Sequence, residues 1–230
     1  MSHFNVAVFT RTDDPDELEQ LLAPYDECVE SNSPYAEFEE DEDGELDERT
    51  GKRGYWSNPN AKYDWYMTGG RWRGHLRLKE GKTGRYGECS WTNKDTPVDP
   101  TRCDCAKVRD CDFTPNEAAR AHATRFWEVY VEGKPLHADE KRDDFVSYYN
   151  KRYYIDKYGT KERYAESCAR FSTHSYLAAI GEWEQVGQMG WFGMDDSTDA
   201  SRQRYKADFA EYLKEAEEQD LYITIVDCHI

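Results

Sequence analysis

The chain is poor in aliphatic residues and in positive charge, and each shortage excludes something. Hydrophobic residues make up 38% of the 230 positions and aromatics alone 14%, so a core must lean on Tyr, Trp and Phe more than on Leu and Ile. Lys and Arg number 30 against 47 Asp and Glu, a net charge of −17. That balance argues against direct nucleic-acid binding, which needs clustered cations to displace counterions. The opening MSHFNVAVFT has no basic leader, and no long apolar segment follows it. Neither secretion nor membrane insertion is therefore expected, and a cytoplasmic location is. A phosphate-binding G-x-x-x-x-G-K loop, a G-x-S-x-G elbow and an H-E-x-x-H helix are all absent. The seven cysteines lack the paired spacing of a zinc site: Cys103-x-Cys105 and Cys111 stand without a second Cys or His pair, so buried reduced thiols are the expectation and no metal site is assigned.

What is present is a run of organised segments. Residues 3–10 read as a strand with Phe4, Val6 and Val8 on one face. Asp14-Pro15-Asp16-Glu17 is a helix start, with Leu18, Leu21 and Leu22 as its buried stripe. Residues 37–48 hold nine acids in twelve positions, which predicts a solvated, mobile acidic loop. Tyr63 to Thr68 alternates as a strand, Gly69-Gly70 bends or thins it, and Arg71 to Leu78 is expected to continue it, with a further short strand at 86–91. Glycine costs strand stability, so the Gly-Gly pair signals a bulge or a close approach by a ligand, another strand or a packed ring.

Thr114-Pro115-Asn116-Glu117 predicts a second helix start, with Thr114 as cap and the helix running to Val131. Further helices at 139–157 and 160–170 make a mainly helical insertion at about 97–170. A hairpin over 175–186, a helix over 201–217 and a closing strand over 221–230 complete the chain. This order is that of a single α+β domain, a ferredoxin-like antiparallel sheet with a helical insertion. In it the first and last strands are neighbours, bringing His3 near Asp227, Cys228 and His229. Strand alternation places Asp227 and His229 on one face and Cys228 on the other.

Four segments, MSHF, NPNAKYDWYMTGGRWRG, GQMGWFGM and VDCHI, together resemble a family of proteins found in bacteriophages and in bacterial genomes carrying phage-like genes. Asp64, Arg71, Trp72, Gly190, Trp191, Asp227, Cys228 and His229 fall on its motif positions. The chain departs from the pattern at Tyr63 (usually Trp), at Thr68 (usually aliphatic) and at Gln188 (usually Glu), which removes any acid role at position 188. The resemblance implies a host-directed or accessory role in a host cell cytoplasm and no particular chemistry.

Three functions follow. One is a binding protein whose Asp64, Trp65, Arg71, Trp72 and Trp191 form an aromatic and arginine pocket for a small anionic, nucleotide-like ligand or a host protein. The second is a hydrolase, with or without a divalent metal, using His3, Asp227 and His229 as catalytic groups and Arg71 against developing negative charge. The third is an acidic mimic of DNA acting through residues 37–48.

Overall fold

A computed structural model describes residues 2–92, 94–190 and 193–230. The chain divides into two compact units, one formed by Met1–Asp112 with Thr173–Ile230 and one by Phe113–Ser172.

The first unit begins with β1 (His3–Thr10), α1 (Pro15–Leu22), β2 (Glu37–Leu46), β3 (Arg53–Ser57), β4 (Trp65–Gly70), β5 (Leu76–Arg77), β6 (Glu88–Cys89), β7 (Arg102–Cys103) and β8 (Cys105–Lys107). The second unit, between them and the remaining elements in sequence, holds α2 (Glu117–Phe126), α3 (Lys151–Tyr158) and α4 (Lys161–Ala169). The first unit resumes with β9 (Ser175–Leu177), β10 (Trp183–Gln185), α5 (Asp199–Glu218) and β11 (Tyr222–His229). The protein is thus of mixed α+β class.

The principal sheet has the order β10-β9-β1-β11-β4-β6, with β8 also on β11. As alternation and order predict, β1 and β11 are antiparallel neighbours, His3 opposite His229 and Asn5 opposite Asp227. The sheet is mixed, however, where a ferredoxin-like ladder would be antiparallel throughout: β1 pairs parallel with β9, and β4 with β6. A parallel pair needs a long crossover, and the whole chain between β1 and β9 supplies one.

The two faces of β1 and β11 are apolar for different reasons. Phe4, Val6, Val8, Val226 and Cys228 form one buried cluster with Leu18 and Leu22 of α1, Tyr63 and Leu177. Each of those leucines contributes about 1.5–3 kcal/mol by leaving water. Asp14 caps α1 as expected, its side chain accepting the Asp16 N–H. On the opposite face Phe9 packs edge-on against Tyr212 of α5, with centroids 4.9 Å apart. Further along that same face of β1 and β11 the residues become His3, Asp227 and His229, so the face is apolar at one end and polar at the other.

Three segment expectations are corrected. Residues 37–46 form a strand, not a mobile loop: β2 pairs antiparallel with β3, with a register shift between Glu40 and Glu45. The acids stay solvated on this hairpin while Tyr55 and Ser57 donate to Glu39, the Trp56 indole donates to Asp47, and Phe38 meets Trp56 at 5.3 Å. Burial was never needed, because the hairpin ladder satisfies the backbone, neutral cross-strand donors hydrogen-bond to Glu39 and Asp47, and Lys52 pairs with Glu40. Arg71–Leu78 does not prolong β4; the chain turns after Gly70, and β5 joins β7 in a separate two-stranded sheet. The predicted cap Thr114 is displaced by Asn116, whose side chain accepts the Ala119 N–H, and a π-helical turn over Trp127–Val131 carries the helix to Val131.

Residues 97–112, expected within the helical insertion, belong to the first unit. In the second unit Phe126, Trp127, Phe145 and Tyr154 form the buried cluster.

Candidate functional site

At the polar end of β1, β11 and β4 the register dictates which side chains meet. His3 faces His229 across one ladder, and Trp65 faces His229 across the other. The three rings form a cluster: the indole of Trp65 stacks on His229 at 5.1 Å and 17°, and His3 stands edge-on to both, at 4.8 Å from His229 and 5.4 Å from Trp65.

Each imidazole is held by its own carboxylate. His3 Nδ1 lies 2.8 Å from Asp227 Oδ1, and His229 Nδ1 lies 2.7 and 2.9 Å from the two oxygens of Asp64. An ionised carboxylate only accepts, so each Nδ1 is the donor, and a ring held this way has a lone pair on Nε2 in its neutral form and a proton there in its charged form. Among the described residues neither Nε2 has a hydrogen-bond partner. Asp227 serves His3 across the ladder, the neighbours that strand order predicts, and Asp64 takes His229.

Burial grades across the site. Asp227 is 1% exposed and His229 5%, whereas Trp65 is 42% exposed. A buried carboxylate must be satisfied on both oxygens. Asp227 meets that requirement with His3 on Oδ1 and the backbone N–H of Arg71 at 2.8 Å on Oδ2.

That second bond explains the Gly-Gly pair. Gly69 and Gly70 have φ of +80° and +53°, and a Cβ on Gly70 would overlap the Asp227 side chain. A Cβ on Gly69 would lie 2.5 Å from Asp104 Oδ2. Asp104, fully buried, accepts the N–H groups of Gly74 at 2.5 Å and Gly87 at 2.9 Å. Its burial pushes the carboxyl above its usual range, against the lowering effect of those N–H groups. Two buried carboxylates therefore grip the turn after β4 from beneath, and only glycine lets them come so close.

The remaining predicted residues are placed as follows. Arg71 reaches the site through its backbone, and its side chain is exposed, with no ion pair among the described residues. Trp72 is half-buried in the same turn, its backbone N–H donating to Gly69 O at 2.9 Å, and has no ring contact with the histidines among the described residues. Trp191 lies outside the described residues. Cys228, on the apolar face, is fully buried, and burial pushes its thiol well up, which fits a core residue and not a nucleophile. Cys103, Cys105 and Cys111 are buried free thiols, with Cys103 pushed up to about 12 by burial. Among the described residues no three His, Cys, Asp or Glu side chains are grouped to hold a metal ion.

Sequence reasoning missed Asp104, which sits between the two cysteines that drew the zinc question. It also missed Ser2, whose hydroxyl donates to Gly190 O at 2.6 Å and accepts the Gly193 N–H at 2.8 Å. Ser2 thereby ties Gly190 and Gly193 to the strand that carries His3. The position of an acid between Cys103 and Cys105 was the available signal for Asp104, and Ser2 lay inside the MSHF motif. No helix of the described residues is long and apolar enough to cross a membrane. No protein-family model matches the chain, and no match was found to a curated protein or to a solved structure.

Proposed function

We propose that this protein is a hydrolase of small, phosphate-bearing, nucleotide-like anions, working by acid–base catalysis between His3 and His229. The observation that carries the reading is the duplication: two adjacent imidazoles, each oriented through Nδ1 by its own carboxylate, each with Nε2 unclaimed. One Nε2 takes the proton of an attacking water as the new P–O bond forms. The other, protonated, gives its proton to the leaving oxygen as the old P–O bond breaks. The exposed guanidinium of Arg71 supplies charge to the phosphoryl oxygens, and the half-exposed Trp65 ring offers a stacking surface for a base. The net charge of −17 favours a small anion over a polymer, whose repulsion would be summed over many phosphates. The phage-family resemblance adds an accessory, host-directed setting to this proposal.

The test is turnover of 4-nitrophenyl phosphate mono- and diesters and of nucleoside di- and triphosphates by the wild type and by His3→Ala and His229→Ala. Loss of about 10²–10⁴-fold in kcat in both variants is expected. Turnover that survives both substitutions overturns the reading. A second reading, capture of the same class of anion without chemistry, is favoured by the 42% exposure of the Trp65 ring. Calorimetric binding without turnover, lost in Arg71→Ala, would select it.

A further inference from the structure

The second unit contains a groove of about 540 Å³ lined by Val129, Tyr130, Pro135, Leu136, Phe145 and Val146, with Lys134, Arg142 and Lys151 on its walls. Its size is that of a small-molecule site. No acid lines it, in a chain with 47 acids.

The groove is built by an irregularity in the helix. The π-helical turn Trp127–Val131 contributes Val129 and Tyr130, and Gly133, at φ +75°, turns the chain away so that residues 134–136 form the next wall. The π-helical turn closes the C-terminal end of α2, and turns of this kind are uncommon. Its rings are fixed. Tyr130 stacks on Phe126 at 5.2 Å and donates its hydroxyl to Tyr149 O at 2.6 Å, while Phe145 stacks on His122 at 6.0 Å and is 7% exposed. The lip is apolar and open to solvent, with Val146 62% and Leu136 37% exposed.

The cations divide into two kinds. Lys134 is shared with Glu128 and Glu132. Arg142 and Lys151, both exposed, have no ion pair among the described residues, in a chain whose acids outnumber its bases 47 to 30. A preformed apolar floor with unneutralised cations at its edge is complementary to one kind of molecule. We propose that this groove is a binding site for an amphipathic anion: a ring-sized apolar body carrying a single sulfonate, carboxylate or phosphate, the body on Tyr130 and Phe145 and the charge on Arg142 and Lys151. The site is separate from the histidine cluster and does not depend on the hydrolase reading.

The test uses 1-anilinonaphthalene-8-sulfonate and its uncharged analogue N-phenyl-1-naphthylamine as fluorescent probes with the full-length protein. The sulfonate is expected to bind saturably at one site per chain. Arg142→Ala with Lys151→Ala should weaken it by about tenfold or more, the loss expected for removing charge-assisted contacts. A control that removes equal charge elsewhere, Arg204→Ala with Lys214→Ala, should leave it unchanged. Val146→Asp, which places a negative charge on the lip, should also weaken the sulfonate, and circular dichroism shows whether each variant is folded. Equal affinity for charged and uncharged probes, non-saturable binding, or binding unaffected by the Arg142/Lys151 pair would each overturn the assignment.

Discussion

Replacing Gly70 by alanine tests how the site is assembled. Two costs arise at that position. The backbone has φ of +53°, which costs an L-residue with a Cβ about 1–2 kcal/mol. The new methyl would also collide with the Asp227 side chain, and overpacking of this kind costs about 1–3 kcal/mol more. The expected total is about 2–5 kcal/mol. Gly81 provides the internal standard: its φ is +74° and nothing lies within 4 Å of where a Cβ would be, so Gly81→Ala carries the backbone cost alone. Urea denaturation of both variants reads the difference directly. Gly70→Ala should be less stable than Gly81→Ala by about 1–3 kcal/mol and should lose turnover as Asp227 is pushed off His3. Equal destabilisation would refute the claim that the glycine exists to admit the carboxylate.

Other outcomes follow from burial and charge. Cys103, Cys105, Cys111 and Cys228 are buried, whereas Cys28, Cys89 and Cys168 are exposed, so a thiol-reactive chromophore should reach only the exposed three in the folded protein, with Cys28 and Cys168, whose thiols are also raised by desolvation, needing a higher pH, and all seven cysteines after denaturation. In the second unit Lys134 and Lys161 hold Glu128 at about 2, and Arg125 holds Glu140 at about 2, against a usual value of 4.5. Because these values are depressed by folding, the stability they contribute is present above pH 4.5 and is lost as pH falls toward 2. Hydrogen-exchange protection across residues 113–172, corrected for intrinsic rates, should therefore fall over that window. A fall on raising the pH from 5 to 7 instead would contradict the ion-pair account.

Much of the framework was legible because it rests on local chemistry. Asp14-Pro15 starts α1 with its own side-chain cap, and the alternation of β1 and β11 fixes which residues share a face, so the meeting of His3 with Asp227 and His229 followed from strand order alone. The partners of those histidines were harder. Asp64 lies just before β4, and its reach to His229 depends on the β11–β4 register, which no local pattern encodes. The Gly-Gly pair was visible as a demand for close approach, while the identity of the approaching groups, Asp227 and Asp104, depended on residues far away in sequence. The acidic hairpin was misread because composition counts charge and ignores cross-strand partners such as Tyr55, Ser57 and Trp56. The antiparallel ladder failed at β9, because the direction in which a chain re-enters a sheet after a long excursion is not written in the strand itself.

The central claim is that two carboxylates fix both histidines in one tautomer with Nε2 left open. Long-range ¹H–¹⁵N correlation spectra, recorded at a pH where the rings are neutral, read that tautomer without any knowledge of the substrate. His3 and His229 should both appear as Nδ1–H forms, and Asp227→Asn should disturb His3 more than His229. Finding either ring in the Nε2–H form in the wild type would contradict the account.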